Sequence, residues 1–214
     1  MKILHVIDSG GLYGAEVMLL NLMREQVGLG LEPILASIGD SGVDEKPIEK
    51  EAKQKGLSVA VFRFKPGPNV VGASKVLKFA WDEKVDLLHS HGYKGNILFG
   101  FLPRAIRRIP MVSTLHGWTW SGGINRMRIY EWLDALSLSF VDRVITVSSA
   151  MQNHPRLKNR RGLALEVVPN GIPLDFETFP HPHPNPPPEG EGTIISSPFK
   201  YPLGHKGEVG RGMV

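Results

Sequence analysis

The sequence predicts an α/β fold: a parallel sheet with helices on both faces. Three observations carry that expectation. Short β-branched runs alternate with segments whose apolar residues recur at helical spacing, from Lys2 to Val168. At 42% hydrophobic and 21% charged residues, the composition is that of a globular chain. Its 214 residues are enough to bury a core.

The elements follow in order. Lys2–Ile7 is a short apolar strand. Tyr13–Val27 places Val17, Leu20, Leu22, Met23 and Val27 at helical spacing, and Gly28 and Gly30 stop it. Ile34–Ile38 is a second strand. Asp44–Lys55 is a charged helix ended by Gly56, and Val59–Phe62 is a third strand. Gly72–Lys84 is a helix with Val76, Leu77, Phe79 and Ala80 inward. Asp86–Ser90 is a fourth strand, and Asn96–Arg108 is a helix kinked or restarted near Pro103. Met111–Leu115 is a fifth strand, Asn125–Phe140 a helix and Arg143–Val147 a sixth strand. Ser149 is placed to cap a short helix reaching His154, and Glu166–Val168 closes the series.

Beyond residue 175 the composition changes. Eight of the 17 prolines fall in Pro180–Val214, interspersed with glycines. Apolar residues there are too sparse to offset the entropy of ordering, so 176–214 is expected to be a disordered tail; a natural linker is one reading, and non-homologous sequence the favoured one, because His181–Gly192 resembles translated bacterial repeat DNA. The division is therefore a domain over 1–175 and a tail over 176–214.

Five segments could carry chemistry. Asp8-Ser9-Gly10-Gly11-Leu12-Tyr13-Gly14-Ala15-Glu16 joins a strand to a helix. Gly10 and Gly11 suggest a turn that a Cβ would block, and the helix start that follows suits a phosphate or a polar sugar. The competing reading is a tight turn without a ligand. In Asp86-Leu-Leu-His89-Ser-His91-Gly92 the two histidines share a strand face. His89 is expected inside, hydrogen-bonded, and His91 at the strand's C-terminal crevice. A metal held by His89, His91 and His116 is conceivable, but no other ligand spacing occurs and no metal site is expected. In Thr114-Leu-His116-Gly117, His116 also leaves a strand's C-terminal edge, where a neutral imidazole can accept a hydroxyl proton or position a hydroxyl or phosphate. Ser148 and Ser149 can cap a helix or donate to a ligand. Pro169-Asn170-Gly171-Ile172-Pro173 is expected to make a fixed, sharp turn.

Composition excludes several classes. There is no cysteine, hence no disulfide, no thiolate catalysis and no Cys-based zinc site. No apolar run approaches the ~20 residues that span a bilayer, and the short N-terminal run lacks the features of a signal peptide, so a cytoplasmic location is expected. The net charge of +4 chooses no partner by itself. Basic residues cluster at Arg104, Arg107 and Arg108 and again at Arg156, Lys158, Arg160 and Arg161. Solvated helix ends are the usual reason. Contact with anionic lipid at the inner membrane face, or with a phosphorylated acceptor, is the sharper one. Aromatic residues are not interleaved as single-strand nucleic-acid binding requires.

Taken in order, Met1–Ile7 with Gly10-Gly11-x-x-Gly14-Ala15-Glu16, then Asp86–His91, Thr114–Gly117, Asp142–Ser148 and Val168–Ile172 resemble the N-terminal domain of retaining GT-B glycosyltransferases of the family-four type. The resemblance covers about 170 residues. It implies two Rossmann-like domains facing across a cleft, the first binding the acceptor and the second a nucleotide-sugar. It places His116 beside the reacting sugar as the catalytic residue. Gly10, Gly11, Gly14, His91 and Ser148 become the substrate and donor-phosphate contacts. It implies no metal and no cofactor beyond the nucleotide-sugar co-substrate, with a sugar, a lipid or another small molecule as acceptor. The family's second domain carries a Glu-x7-Glu motif, and this sequence has no glutamate pair at that spacing. The chain alone is therefore expected to be inactive, and its uncovered inter-domain face to favour self-association. Two alternatives stand beside this reading. One is a single-domain NAD(P)-binding Rossmann protein, with Ser-x-Gly-x-x-Gly and Asp40 as its ribose acid. The other is an acceptor-binding module that pairs with a separate donor domain.

Overall fold

The structure, a computed structural model, describes residues 1–65, 69–117, 126–158 and 163–171. All of them lie in one compact unit, Met1–Pro173. The boundary expected at 175, the tail 176–214 and the loop Trp118–Asn125 fall outside the described residues.

Seven strands form one sheet: β1 (Lys2–Ile7), β2 (Glu32–Asp40), β3 (Ser58–Phe64), β4 (Leu87–His91), β5 (Met111–Leu115), β6 (Arg143–Thr146) and β7 (Leu165–Val167). Every pairing is parallel, in the order β3-β2-β1-β4-β5-β6-β7. The chain winds one way from β1 through β3 and the other way from β4 onward. β1 and β4 are thus neighbours at the switch point, with Ile7 opposite His91 and His5 opposite His89. An open sheet of this kind binds ligands outside the carboxyl ends of its strands at that switch.

The pleat divides the core. Leu4, Val6, Ala36, Ile38, Leu88 and Met111 face one way, against Ala73, Val76, Leu77 and Ala80 of α3 (Val70–Asp82) and Phe99. Ile7 and Leu35 face the other way, against Leu19, Leu20 and Met23 of α1 (Gly14–Gly28) and Ile48 and Ala52 of α2 (Pro47–Gln54). The packed stripe of α1 is Glu16, Leu19, Leu20 and Met23, an i, i+3, i+4, i+7 set. Val17 and Val27, expected inside, are exposed. α1 ends one residue beyond the expected stop, and Gly30 takes a φ of +76° just after it.

The segment after β4 differs from a plain helix. α4 (Tyr93–Gly95) continues as a π-helical turn over Asn96–Gly100. The helix breaks before Pro103 and restarts as α5 (Arg104–Arg107), as the proline predicts. α6 (Arg126–Ser137) crosses close to the π turn: a Cβ on Gly100 would lie 3.0 Å from the Ser137 carbonyl oxygen. Asn96 is fully buried there, donating to Asp134 (2.8 Å) and accepting from Ser113 (2.7 Å). α7 (Ser149–Gln152) and α8 (Pro155–Lys158) complete the helices, and the cap of α7 is Ser148, one residue earlier than expected. Among the described residues no helix is long and apolar enough to cross a membrane.

Arg107 corrects the reading of the first basic cluster. It is 0% exposed and donates to the carbonyls of Phe99, Leu102 and Ile109 and to Asp142. Burial works against its charge and lowers its pKa, while Asp142 opposes that shift. Arg104 pairs with the same carboxylate at 2.7 Å, and Arg108 lies over the Trp81 ring at 5.9 Å. Arg107 therefore pins the restarted helix to β5 and β6 and is not a surface cation. The second cluster is described only in part: Arg156 pairs with Glu131 at 2.7 Å, and Arg160 and Arg161 fall outside the described residues. Replacing Arg107 with Ala leaves Asp142 and three carbonyls short of a donor. A loss of about 3 kcal/mol in unfolding free energy is expected, read as a lower urea midpoint at unchanged slope.

Candidate functional site

All strands run parallel, so the tips of β1, β4, β5 and β6 open on one edge. The expected site residues lie along it. β1 leads into a bend held by Ser9, whose Oγ donates to the Gly11 carbonyl (2.5 Å) and accepts from the Gly11 N–H (3.2 Å). The turn does not need glycine for its backbone, contrary to the sequence reading. Gly10, Gly11 and Gly14 are absent from the positive-φ residues, and a Cβ on Gly10 or Gly14 meets nothing within 4 Å. On Gly11 a Cβ would come within 2.6 Å of the exposed Tyr13 ring, which would have to move aside. These glycines leave clearance above the bend. Positive φ is required elsewhere, at Gly92 (+102°) and Gly117 (+148°), which turn the chain away immediately after His91 and His116.

The helix start beside the bend carries its own anion. Glu16, 7% exposed, accepts from the Tyr13 N–H at 3.0 Å. A carboxylate at this terminus satisfies one of its free donors and lowers its attraction for a phosphate.

Beneath α1 the sheet carries a polar stripe. His5, His89 and His91 are 0%, 6% and 3% exposed. His5 Nε2 meets Gln26 Oε1 at 2.8 Å, and His5 Nδ1 meets His91 Nε2 at 3.0 Å. His91 Nδ1 meets His116 Nε2 at 3.3 Å, and the two rings stack at 5.6 Å. His89 bonds Thr114 Oγ1 at 2.8 Å and lies 4.2 Å from the His91 ring. Burial pushes the His5 pKa from 6.5 down to about 4. Burial, helped by repulsion among the rings, holds His89 and His91 well below the ordinary value. Burial also lowers His116, against the pull of the Glu16 carboxylate. All four rings are therefore neutral near pH 7. His116 Nδ1 is buried and accepts no hydrogen bond from the described residues.

The structure thus joins His91 and His116 and sets Glu16 near them. His91 is more deeply buried than expected and touches the site through His116. His89, expected inside, lines a trough of about 490 Å³ between α1 and Val168–Gly171, together with Met18, Leu22, Gln26 and Thr114. Asn170 and Gly171 form its wall. Gly171 has no positive φ, and Ile172 and Pro173 of the expected turn lie outside the described residues. Ser148 caps α7 by accepting from the Met151 N–H at 3.3 Å. Ligand nitrogens of His5, His89 and His91 lie within 4.8 Å of one another. Both His5 nitrogens and the facing His91 nitrogen are hydrogen-bonded, so a cation would have to break those bonds.

Sequence reasoning did not single out Glu16, Gln26, His5, Lys46 or Lys94. The last two meet at the rim. Lys46, 7% exposed, donates to Asp8 (2.7 Å) and the Ile38 carbonyl (2.6 Å). Lys94 donates to Asp8 (2.7 Å) and Asp40 (3.3 Å). Burial opposes the Lys94 charge, but the two aspartates outweigh it and raise its pKa. The sequence signals for this cluster were Asp8, at the head of the glycine bend, and Asp40 at the end of a strand.

Comparison with known proteins follows the same lines. The profile described as Glycosyltransferase Family 4 matches residues 13–176. Among solved structures, Anabaena HepE in complex with UDP aligns at a TM-score of 0.63 and 21% identity, over 80% of this chain and 44% of that one. The UDP-N-acetylglucosamine 2-epimerase of Rickettsia bellii aligns at 0.52 and 15%, over 79% and 45%. S. aureus MnaA with UDP aligns at 0.51 and 11%, over 79% and 44%. At these identities the likeness shows the fold, and the chain spans less than half the length of each. No curated protein matches the chain in sequence.

The neutral stripe sets a pH dependence. The unfolded chain protonates these histidines near 6.5, the folded one only at lower pH, to about 4 for His5. The unfolded state binds more protons in that window, so stability rises with pH: it is complete above 6.5 and lost as pH falls towards 4. His5 alone accounts for on the order of 3 kcal/mol. Urea unfolding at pH 7 and pH 5 should show the drop, and His5→Gln should reduce it.

Proposed function

The chain belongs to glycosyltransferase family 4, and from that premise we propose that it provides the acceptor-side half of a retaining glycosyl-transfer site. The observation that carries this reading is the unpartnered Nδ1 of His116 at the tip of β5. His116 follows β5 at the carboxyl edge of the sheet, where open sheets of this kind bind ligands, and Glu16, just after the bend, acts on its ring. A neutral imidazole there accepts a hydroxyl proton or a hydrogen bond, which positions a sugar hydroxyl for transfer.

The rim charges support a division of labour. Asp8 and Asp40 balance Lys46 and Lys94, and Glu16 occupies the start of α1. This edge offers little net positive charge to a diphosphate. The donor's phosphates are then held by a facing lobe, and this side contributes hydroxyl recognition. Contacts of Gly10, Gly11, Gly14, His91 and Ser148 with the donor belong to the same proposal. His91 acts through His116, and Ser148 is the least supported because it caps a helix. A cytoplasmic location, self-association through the uncovered face and peripheral contact with anionic lipid through Arg104 and the second basic cluster are proposed on the same footing.

The polypeptide alone is expected to release no nucleotide from UDP-sugars above a His116→Ala control; turnover by the wild type would refute its inactivity. For sugar recognition, saturation transfer to hexosides should weaken at least about fivefold in His116→Ala, the worth of one hydrogen bond. Equal transfer in both would remove His116 from the site. The dinucleotide alternative needs Asp40 for a ribose, and Asp40 there also carries an ion pair with Lys94 at 3.3 Å. Titration with NADH should give no saturable fluorescence change.

A further inference from the structure

Hydrogen-bond polarity along the buried histidines can be followed atom by atom. The acceptor at one end is Gln26 Oε1, on the last turn of α1. Gln26 turns its carbonyl oxygen to the ring, and in this amide orientation His5 Nε2 carries the proton; a flipped amide would donate and reverse every link. The ring is neutral, which leaves His5 Nδ1 bare, and it accepts from His91 Nε2–H at 3.0 Å. His91 Nδ1 is then bare and accepts from His116 Nε2–H at 3.3 Å. His116 Nδ1 is bare in turn, and it is the nitrogen that finds no partner among the described residues. Each link admits one donor and one acceptor. Reversing any single ring would set two protons or two lone pairs against each other at a buried contact.

We propose that Gln26, acting through His5 and His91, fixes which nitrogen of His116 is protonated, and so makes its Nδ1 an acceptor for a hydroxyl. Gln26, His5 and His91 are positioning residues; none of them needs to touch a substrate. His89 stands outside the relay, since its Nε2 is engaged with Thr114. The glutamine also explains a polar side chain on a helix that is otherwise packed by Leu19, Leu20 and Met23. The relay deepens the proposed acceptor site and rests on that reading for its purpose, but its geometry does not depend on it.

The test is nuclear magnetic resonance of the full chain with ¹⁵N-labelled histidine, without substrate. The wild type should show His5, His91 and His116 protonated on Nε2. Couplings across the hydrogen bonds should link His91 Nε2 to His5 Nδ1 and His116 Nε2 to His91 Nδ1. Gln26→Glu, which also only accepts at this position, should preserve the pattern. Gln26→Leu should shift His116 Nδ1 from the bare towards the protonated range, although residue 26 is two rings away. Absence of the couplings in the wild type, protonation of His116 on Nδ1, or an unchanged His116 in Gln26→Leu would overturn the proposal. If Gln26→Leu does not fold, the wild-type couplings and Gln26→Glu decide it. No sugar enters this measurement, so its failure leaves the glycosyl-transfer reading standing, and failure of sugar binding leaves the relay standing.

Discussion

Beneath α1 the sheet carries imidazoles where the neighbouring positions carry Leu and Ile, and each can be there only if it is neutral and hydrogen-bonded. His5, His89 and His91 meet both conditions through burial and through Gln26, Thr114 and each other. The requirement reaches well beyond those rings. It fixes the rotation of α1, because Gln26 must face the sheet while Leu19, Leu20 and Met23 fill the apolar part of the same face. It fixes the register of β1 against β4, which sets His5 beside His89. It also carries the polar stripe on to His116, whose Nδ1 has no hydrogen-bond partner among the described residues.

The rim complements this stripe. Lys46 and Lys94 tie the tips of β1 and β2 and the start of α4 through Asp8 and Asp40. Glu49, 1% exposed, ties α2 to Ser37 and Arg63. Burial alone would raise the Glu49 pKa, but its bonds from Ser37, Arg63 and the Lys46 N–H outweigh it and keep the carboxylate ionised. This edge is thus tied together by ion pairs and nearly charge-balanced. Such an edge suits recognition of hydroxyls by direction better than of phosphates by charge, in keeping with the acceptor-side role proposed above.

Much of this architecture was legible in the sequence because period and punctuation are local. β1 and β5 fall where their β-branched runs do, Gly56 with its φ of +71° ends α2, and Pro103 breaks the helix after β4. The family's ordered motifs also led to His91 and His116. Less of the site was legible, since its partners are distant in sequence: Gln26 and His5 are 21 residues apart, and His5 and His91 are 86 apart. A lone Gln in an amphipathic helix looks like solvent-facing filler, and a histidine inside a short apolar strand looks like an ordinary core exception. Arg107 misled for the opposite reason, because an Arg-rich helix end resembles a surface patch whether or not one member turns inward. The glycine bend misled as well: adjacent glycines suggest a conformational need, whereas here they keep side chains out of the way.

The buried relay has a consequence for how such a chain can vary. A single apolar replacement at His5 or His91 strands a nitrogen on each side, so intermediates with one ring removed are disfavoured. An all-apolar stripe, or an intact one, avoids that penalty. Positions 5, 26, 91 and 116 are then bound to drift as a block, covarying across descendants although no two of them are neighbours in sequence.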